Sequence, residues 1–158
     1  MIILGVDPGT FTTGYGLIEK GKNSIRHIDN GLISPSKADL PLKLKQIFDA
    51  IHLLIEKFSP QELALEDVFV AKNARSSLKL GHARGVVMLA AANHGIPVYE
   101  YSPASVKSAI AGFGQASKEQ MQKMVKIHLK LVEVAAEDAA DALAVALCHC
   151  QTKRFEKI

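Results

Sequence analysis

Cysteine is scarce in this sequence. Only Cys148 and Cys150 occur in 158 residues, and two positions apart on a helix they lie about 200° apart around its axis. In that setting they neither pair with each other nor share a metal, so they read as small buried thiols in a reducing compartment. Apolar runs are short as well. None approaches the roughly 20 residues that cross a bilayer, and Asp7 interrupts the apolar N-terminus before a signal-peptide core could form. The expectation is a cytosolic protein. Internal repeats, low-complexity tracts, interdomain linkers and Cys/His clusters are missing too. With 48% hydrophobic and 22% charged residues the composition is that of a soluble globular chain. One domain over 1–158 is expected, with 151–158 as a tail to which no role is assigned.

Charge is present but unevenly placed. The formal net charge is +3, yet between Phe69 and Lys130 nine Lys or Arg face only Glu100 and Glu119, giving that stretch +7 and leaving −4 elsewhere. Such asymmetry fits a solvated basic face, and it favours a polyanionic partner, nucleic acid first.

The opening Ile2-Ile3-Leu4-Gly5-Val6-Asp7-Pro8-Gly9 reads as a strand buried on both faces that delivers a carboxylate to its carboxyl end. An Asp before Pro-Gly is commonly a turn former; strand tips of α/β sheets are also where ligand crevices form. Thr13–Glu19 and a stretch from Ser24 to about Ser34 follow through short glycine-containing connections, which predicts an antiparallel meander. Gly14 and Gly16 share one face, leaving room for a backbone, a ligand or a helix. Apolar residues at Leu44, Ile47, Phe48, Ile51, Leu54, Ile55 and Phe58 predict an amphipathic helix ended by Ser59-Pro60. Leu63-Ala64-Leu65-Glu66 repeats the opening pattern. Reached through a helical crossover, it can lie parallel to the first strand, with Glu66 beside Asp7.

A helix from about Ser76 to Asn93 is small and apolar over much of its surface, which predicts close contacts on more than one side, a second copy supplying one of them. Ile96–Tyr101 is the fifth strand. Ser102-Pro103 opens a helix to about Ala111, Gly112-Phe113-Gly114 breaks it, and Ser117-Lys118-Glu119-Gln120 is a capping box. Lys118 then carries positive charge at a helix start, unfavourable for the dipole, as a ligand-binding or simply exposed lysine would. The last helix, Glu137 to Leu147, places Asp138 and Asp141 on one face. First-turn acids suit the dipole, but Asp141 sits among Ala140, Ala142, Leu143 and Ala144, where an unpaired charge is expensive.

The blocks IILGVDPGTFTTGYGLIE, LALEDVFVAKNARSSLKLGHARG and EDAADALAVALCH, with the segment carrying Lys107 and Lys118, together resemble the RuvC family of Holliday-junction resolvases, in order and across nearly the whole chain. The resemblance implies an α/β, ribonuclease-H-like fold, a five-stranded mixed sheet flanked by helices on both faces. It also implies a homodimer that nicks two opposed strands of four-way junction DNA, with a branch-migration motor as a further partner. Residue by residue, Asp7, Glu66, Asp138 and Asp141 match the family's acids, both catalytic and metal-binding. Some members have His where Asp138 stands, so no histidine ligand is expected here. Phe69 matches the aromatic that inserts at the junction, and Lys107 and Lys118 match basic residues for DNA binding and catalysis. Lys72, Asn73, Arg75, Lys79 and Arg84 join them as candidate DNA contacts.

Phosphodiester hydrolysis needs an activated water, stabilised phosphoryl oxygens and an assisted leaving group, and two hard divalent ions roughly 4 Å apart supply all three. Four carboxylates suit Mg²⁺, with Mn²⁺ substituting, better than zinc, and their −4 balances two such ions. Three rival readings remain at this stage. Asp7-Pro8-Gly9-Thr10 also resembles the phosphate loop of actin-like ATPases, although those enclose nucleotide between two domains. A structure-specific DNA-binding protein without catalysis would explain the basic stretch but not the four acids. A general ribonuclease H would differ in substrate.

Overall fold

The computed structural model describes residues 1–67 and 73–152; Phe69, Lys72 and residues 153–158 of the expected tail lie outside them. Five strands form one sheet in the order β3-β2-β1-β4-β5. β1 (Ile2–Asp7), β2 (Thr13–Lys20) and β3 (Ile25–Ile33) are the antiparallel meander. α1 (Leu40–Phe58) carries the chain across to β4 (Glu62–Glu66), which pairs parallel to β1 with Val6 opposite Leu65. α2 (Ala74–Asn93) leads to β5 (Val98–Tyr101), parallel to β4. α3 (Pro103–Ala111), α4 (Lys118–Leu129) and α5 (Glu137–Thr152) complete the chain. The arrangement is the expected mixed sheet with helices on both faces.

Helix boundaries follow local chemistry. Asp39 caps α1 by accepting from the Leu42 N–H, Pro41 occupies its first turn, and Ser59 ends it in the left-handed region. Ser102 caps α3, and Ser117 with Gln120 forms a reciprocal capping box on α4. Two boundaries differ from the sequence expectation. β5 starts two residues late because the Ile96 N–H is used on the Ala91 carbonyl to close α2. α5 runs on to Thr152 because Cys148, His149 and Cys150 are buried like the residues before them.

Strand alternation divides the core. Leu4, Val6, Leu17, Leu63 and Leu65 pack against Ile47, Ile51 and Ile55 of α1 and Ala83, Val87 and Ala90 of α2. Ile3, Ile18 and Ala64 point the other way, onto α3, α4 and α5. By the same alternation Asp7 and Glu66 fall on the α5 side.

α5 lies unusually close to the sheet, and glycine permits it. A Cβ on Gly5 would stand 2.0 Å from the Ala142 carbonyl oxygen, one on Gly14 2.0 Å from that of Asp138, and one on Gly16 2.6 Å from the Leu143 side chain. The space left open in the β2 reading is therefore filled by a helix, and backbone touches backbone. Burial of Leu143, Val145 and Leu147 stabilises this contact by about 1.5–3 kcal/mol each. We expect Gly5→Ala to destabilise the fold by about 3 kcal/mol in equilibrium denaturation, because strand and helix must separate to admit the methyl group. An unchanged midpoint would show that α5 is not seated there.

Candidate active site

Asp7 ends β1, and its strand partner on β2 is Gly14. The Asp138 backbone rests on Gly14, so the contact that seats α5 also sets Asp138 beside Asp7. One turn further along α5, Asp141 faces the same way. A carboxylate oxygen from each of Asp7, Asp138 and Asp141 lies within 4.8 Å of the other two. Glu66, on the neighbouring parallel strand, is outside that tight trio but lines the same cavity of about 350 Å³, with Lys107, Lys118 and the three aspartates. All four expected acids thus converge, from three separate parts of the chain.

The electrostatics are those of crowded, half-buried acids. Burial, then the Asp141, Asp138 and Glu66 carboxylates, raise the Asp7 pKa from 3.8 to about 7, with Lys118 opposing. Asp141 rises to about 6, chiefly through burial; Lys118 pulls it down while Glu137 and Asp138 push it up. Glu66 is also raised, by burial first and Asp141 second, against Lys107 and Lys118. Such a site favours a compensating cation. Its donors are all carboxylate oxygens, the set that hard divalent ions take, and no thiol or imidazole is among them.

The supports of this site were largely invisible in the sequence. Thr13, fully buried, donates its hydroxyl to the Gly9 carbonyl at 2.8 Å and accepts from the Gly9 N–H at 3.1 Å, pinning the loop that leaves Asp7. Arg84 donates to the Glu66 carbonyl at 2.7 Å and pairs with Glu100 and, at 3.5 Å, with Asp67. It was expected among the DNA contacts. Its side chain is only 12% exposed and its charge is engaged by acids, and it holds the tip of β4. Asn73 likewise serves as the N-cap of α2, accepting from the Arg75 N–H at 3.0 Å. Arg75 and Lys79 are exposed on the first turns of α2. The adverse dipole position of Lys118 has an answer within the chain, an ion pair with Glu137 at the start of α5. That hydrogen bond is the main reason its pKa is raised.

A sequence profile described as "Crossover junction endodeoxyribonuclease RuvC" matches residues 3–149. The chain belongs to the RuvC family. Among RuvC proteins so named, that of Syntrophotalea carbinolica is 55% identical over 151 residues, covering 94% of this chain and 93% of its own. That of Citrifermentans bemidjiense is 52% identical over 153 residues, covering 96% and 93%. A solved structure of Thermus thermophilus RuvC in complex with Holliday junction substrate superposes with a TM-score of 0.92 at 33% identity, covering 99% of this chain and 96% of that one. The RuvC resemblance read from four sequence blocks is thereby shown, and the ribonuclease-H-like fold with it.

Asp7 and Asp141 bind protons more tightly in the folded chain than when unfolded. The stability this contributes is fully present below about pH 4 and is lost as pH rises through their folded values of about 6 and 7. Without divalent metal, the melting temperature is therefore expected to fall between about pH 5 and pH 8, and Mn²⁺ to restore it at the upper end far more than at the lower. Scanning calorimetry at both ends checks this; a melting temperature indifferent to Mn²⁺ near pH 8 would argue against ligation by these acids.

Proposed function

We propose that this protein is a crossover junction endodeoxyribonuclease that resolves four-way DNA junctions by paired, metal-dependent phosphodiester hydrolysis. The observation that carries the reading is the meeting of Asp7, Asp138 and Asp141 within 4.8 Å, with Glu66 in the same cavity, in a chain of the RuvC family. The residues fit Mg²⁺, and Mn²⁺ in its place, with two ions per site balancing four carboxylates. Bound there, such ions would supply Lewis acidity toward the phosphoryl oxygens and an acidified water. Asp7, which feels the charge of all three other acids, would hold the metal together with Glu66 and the α5 pair. Lys107 and Lys118, the cations of this cavity, attract the phosphate into a carboxylate-lined site and offset the charge that gathers on it as a water oxygen bonds to phosphorus and the bond to a sugar oxygen breaks. Lys118 must exchange its bond to Glu137 for one to phosphate to do so.

One chain folds as one nuclease domain, and the two-fold symmetry of a four-way junction calls for two of them. α2 is the surface that suits a partner copy. Leu78 is 64% and Leu89 54% exposed, eleven residues apart and so on one face, and the space over Gly81 and Gly85 between them is open. Arg75 and Lys79, near the start of that helix, suit DNA phosphates, as does Lys72 of the preceding segment, and Phe69 of that segment suits insertion at the junction. A branch-migration motor as a further partner is supported by family membership alone.

A synthetic four-way junction incubated with and without Mg²⁺ and mapped for nicks tests the proposal. Paired symmetric nicks that need the metal are expected from the wild type, while Asp7→Asn should bind junction but not cut it. Cleavage by Asp7→Asn at the wild-type rate would refute the assignment. Leu78→Asp with Leu89→Asp should give monomers in sedimentation velocity and uncouple the two nicks, since charges would then face each other across the shared helix. A wild type that sediments as a monomer with junction bound would remove the dimer from the reading.

A further inference from the structure

Phe11 is an anomaly the four acids do not explain. It is 76% exposed, in the loop that leaves Asp7, and that loop is pinned at its base by the Gly9–Thr13 hydrogen bonds. The ring is therefore presented outward on a fixed base. The Lys43 ammonium lies 4.8 Å from its centroid, and Thr10, Leu40 and Lys79 close a shallow cavity of about 180 Å³ around it. Among the described residues neither Lys43 nor Lys79 has an ion-pair partner. An exposed aromatic ring with two ammonium groups beside it, neither of them ion-paired among the described residues, is a combination that grips a nucleic-acid strand, bases or sugars on the ring and phosphates on the charges.

Its place in the fold gives the strand an address. The loop follows β1, Lys43 is in the first turns of α1, and Lys79 is in the first turns of α2. All three elements begin or end at the sheet edge that carries Asp7 and Glu66. Four residues of chain span at most about 14 Å, so Phe11 lies within that distance of Asp7. We propose that Phe11, Lys43 and Lys79 form a second DNA contact beside the cleavage site, in which the ring packs on a nucleotide flanking the scissile phosphate and the two lysines hold its backbone. The inference rests on the nuclease reading and adds to it a specific platform, separate from the acids. An exposed Phe–Lys contact that merely tidies the surface is the alternative.

The chain contains no tryptophan, so Phe11→Trp introduces the only indole, excitable apart from the tyrosines, at the platform. Its emission should be quenched when a four-way junction is added without divalent metal, and that variant should keep wild-type affinity. Phe11→Ala should weaken junction binding by about tenfold, leaving the melting temperature unchanged. Lys43→Gln and Lys79→Gln should each reduce the slope of log affinity against log salt by about 0.9, whereas Phe11→Ala should leave that slope alone. Undiminished affinity in Phe11→Ala, or unchanged salt slopes in both lysine variants, would overturn the platform. If the wild type nicks junctions while those results appear, only this inference falls. If the wild type fails to nick in Mg²⁺, the nuclease reading is what fails.

Discussion

Everything at the acidic end of this molecule depends on how near one helix can come to one sheet. Ordinary side chains hold a helix about 10 Å from the strands it covers. Here three glycines on β1 and β2 remove that spacer, and the carbonyls of Asp138 and Ala142 occupy the volume where methyl groups would be. The consequence is chemical rather than mechanical. A short aspartate reaches only a few ångströms, so Asp138 and Asp141 meet Asp7 only because the helix backbone is already in contact with the strand. Burial of α5 along most of its length then offsets the repulsion that the meeting creates.

That repulsion is the second organising feature. Asp7 and Asp141 are held where neither water nor a protein cation fully satisfies them, and their raised pKa values record it. Lys107 and Lys118 lower the penalty without abolishing it. A fold that retains such a cluster keeps stored affinity for an external cation, since ligation releases the strain that folding imposed. The neighbouring positive charge is arranged around the cluster rather than within it. Arg84 holds backbone, Lys118 leans on Glu137, and Lys43 and Lys79 stand apart at the rim.

Much of this was legible in the order of residues. Apolar patterns and the capping signals of α3 and α4 located the elements, and two apolar strands each tipped by an acid, joined by a helix, predicted a parallel pair with Asp7 beside Glu66. The i, i+3 spacing put Asp138 and Asp141 on one face. What the sequence could not disclose was partnership across space. Arg84 looks like any basic residue of a basic stretch until its 2.7 Å bond to the Glu66 carbonyl is seen. Asn73 is a candidate contact by its place in the basic stretch, and only the structure showed that it also caps α2. Glu137 read as a dipole-friendly first-turn acid, and its pairing with Lys118 needed the approach of two helices that are separate in the chain. Gly14 and Gly16 showed that something came close; only coordinates decided that it was a helix.

A helix resting on glycine has few side chains in its bed to stop it sliding lengthwise, Leu143 over Gly16 being one. The brake is at its other end. His149, fully buried, joins the Glu62 carboxylate at 2.6 Å through one ring nitrogen and the Tyr101 hydroxyl at 2.6 Å through the other. These bonds tie α5 to β4 and β5 about 16 Å along the axis from Asp138. A slip of one residue would carry the aspartates about 1.5 Å past the strand tip and turn them by about 100°. The axial setting of the acidic trio is thus held also by a buried polar latch about three helical turns away along α5.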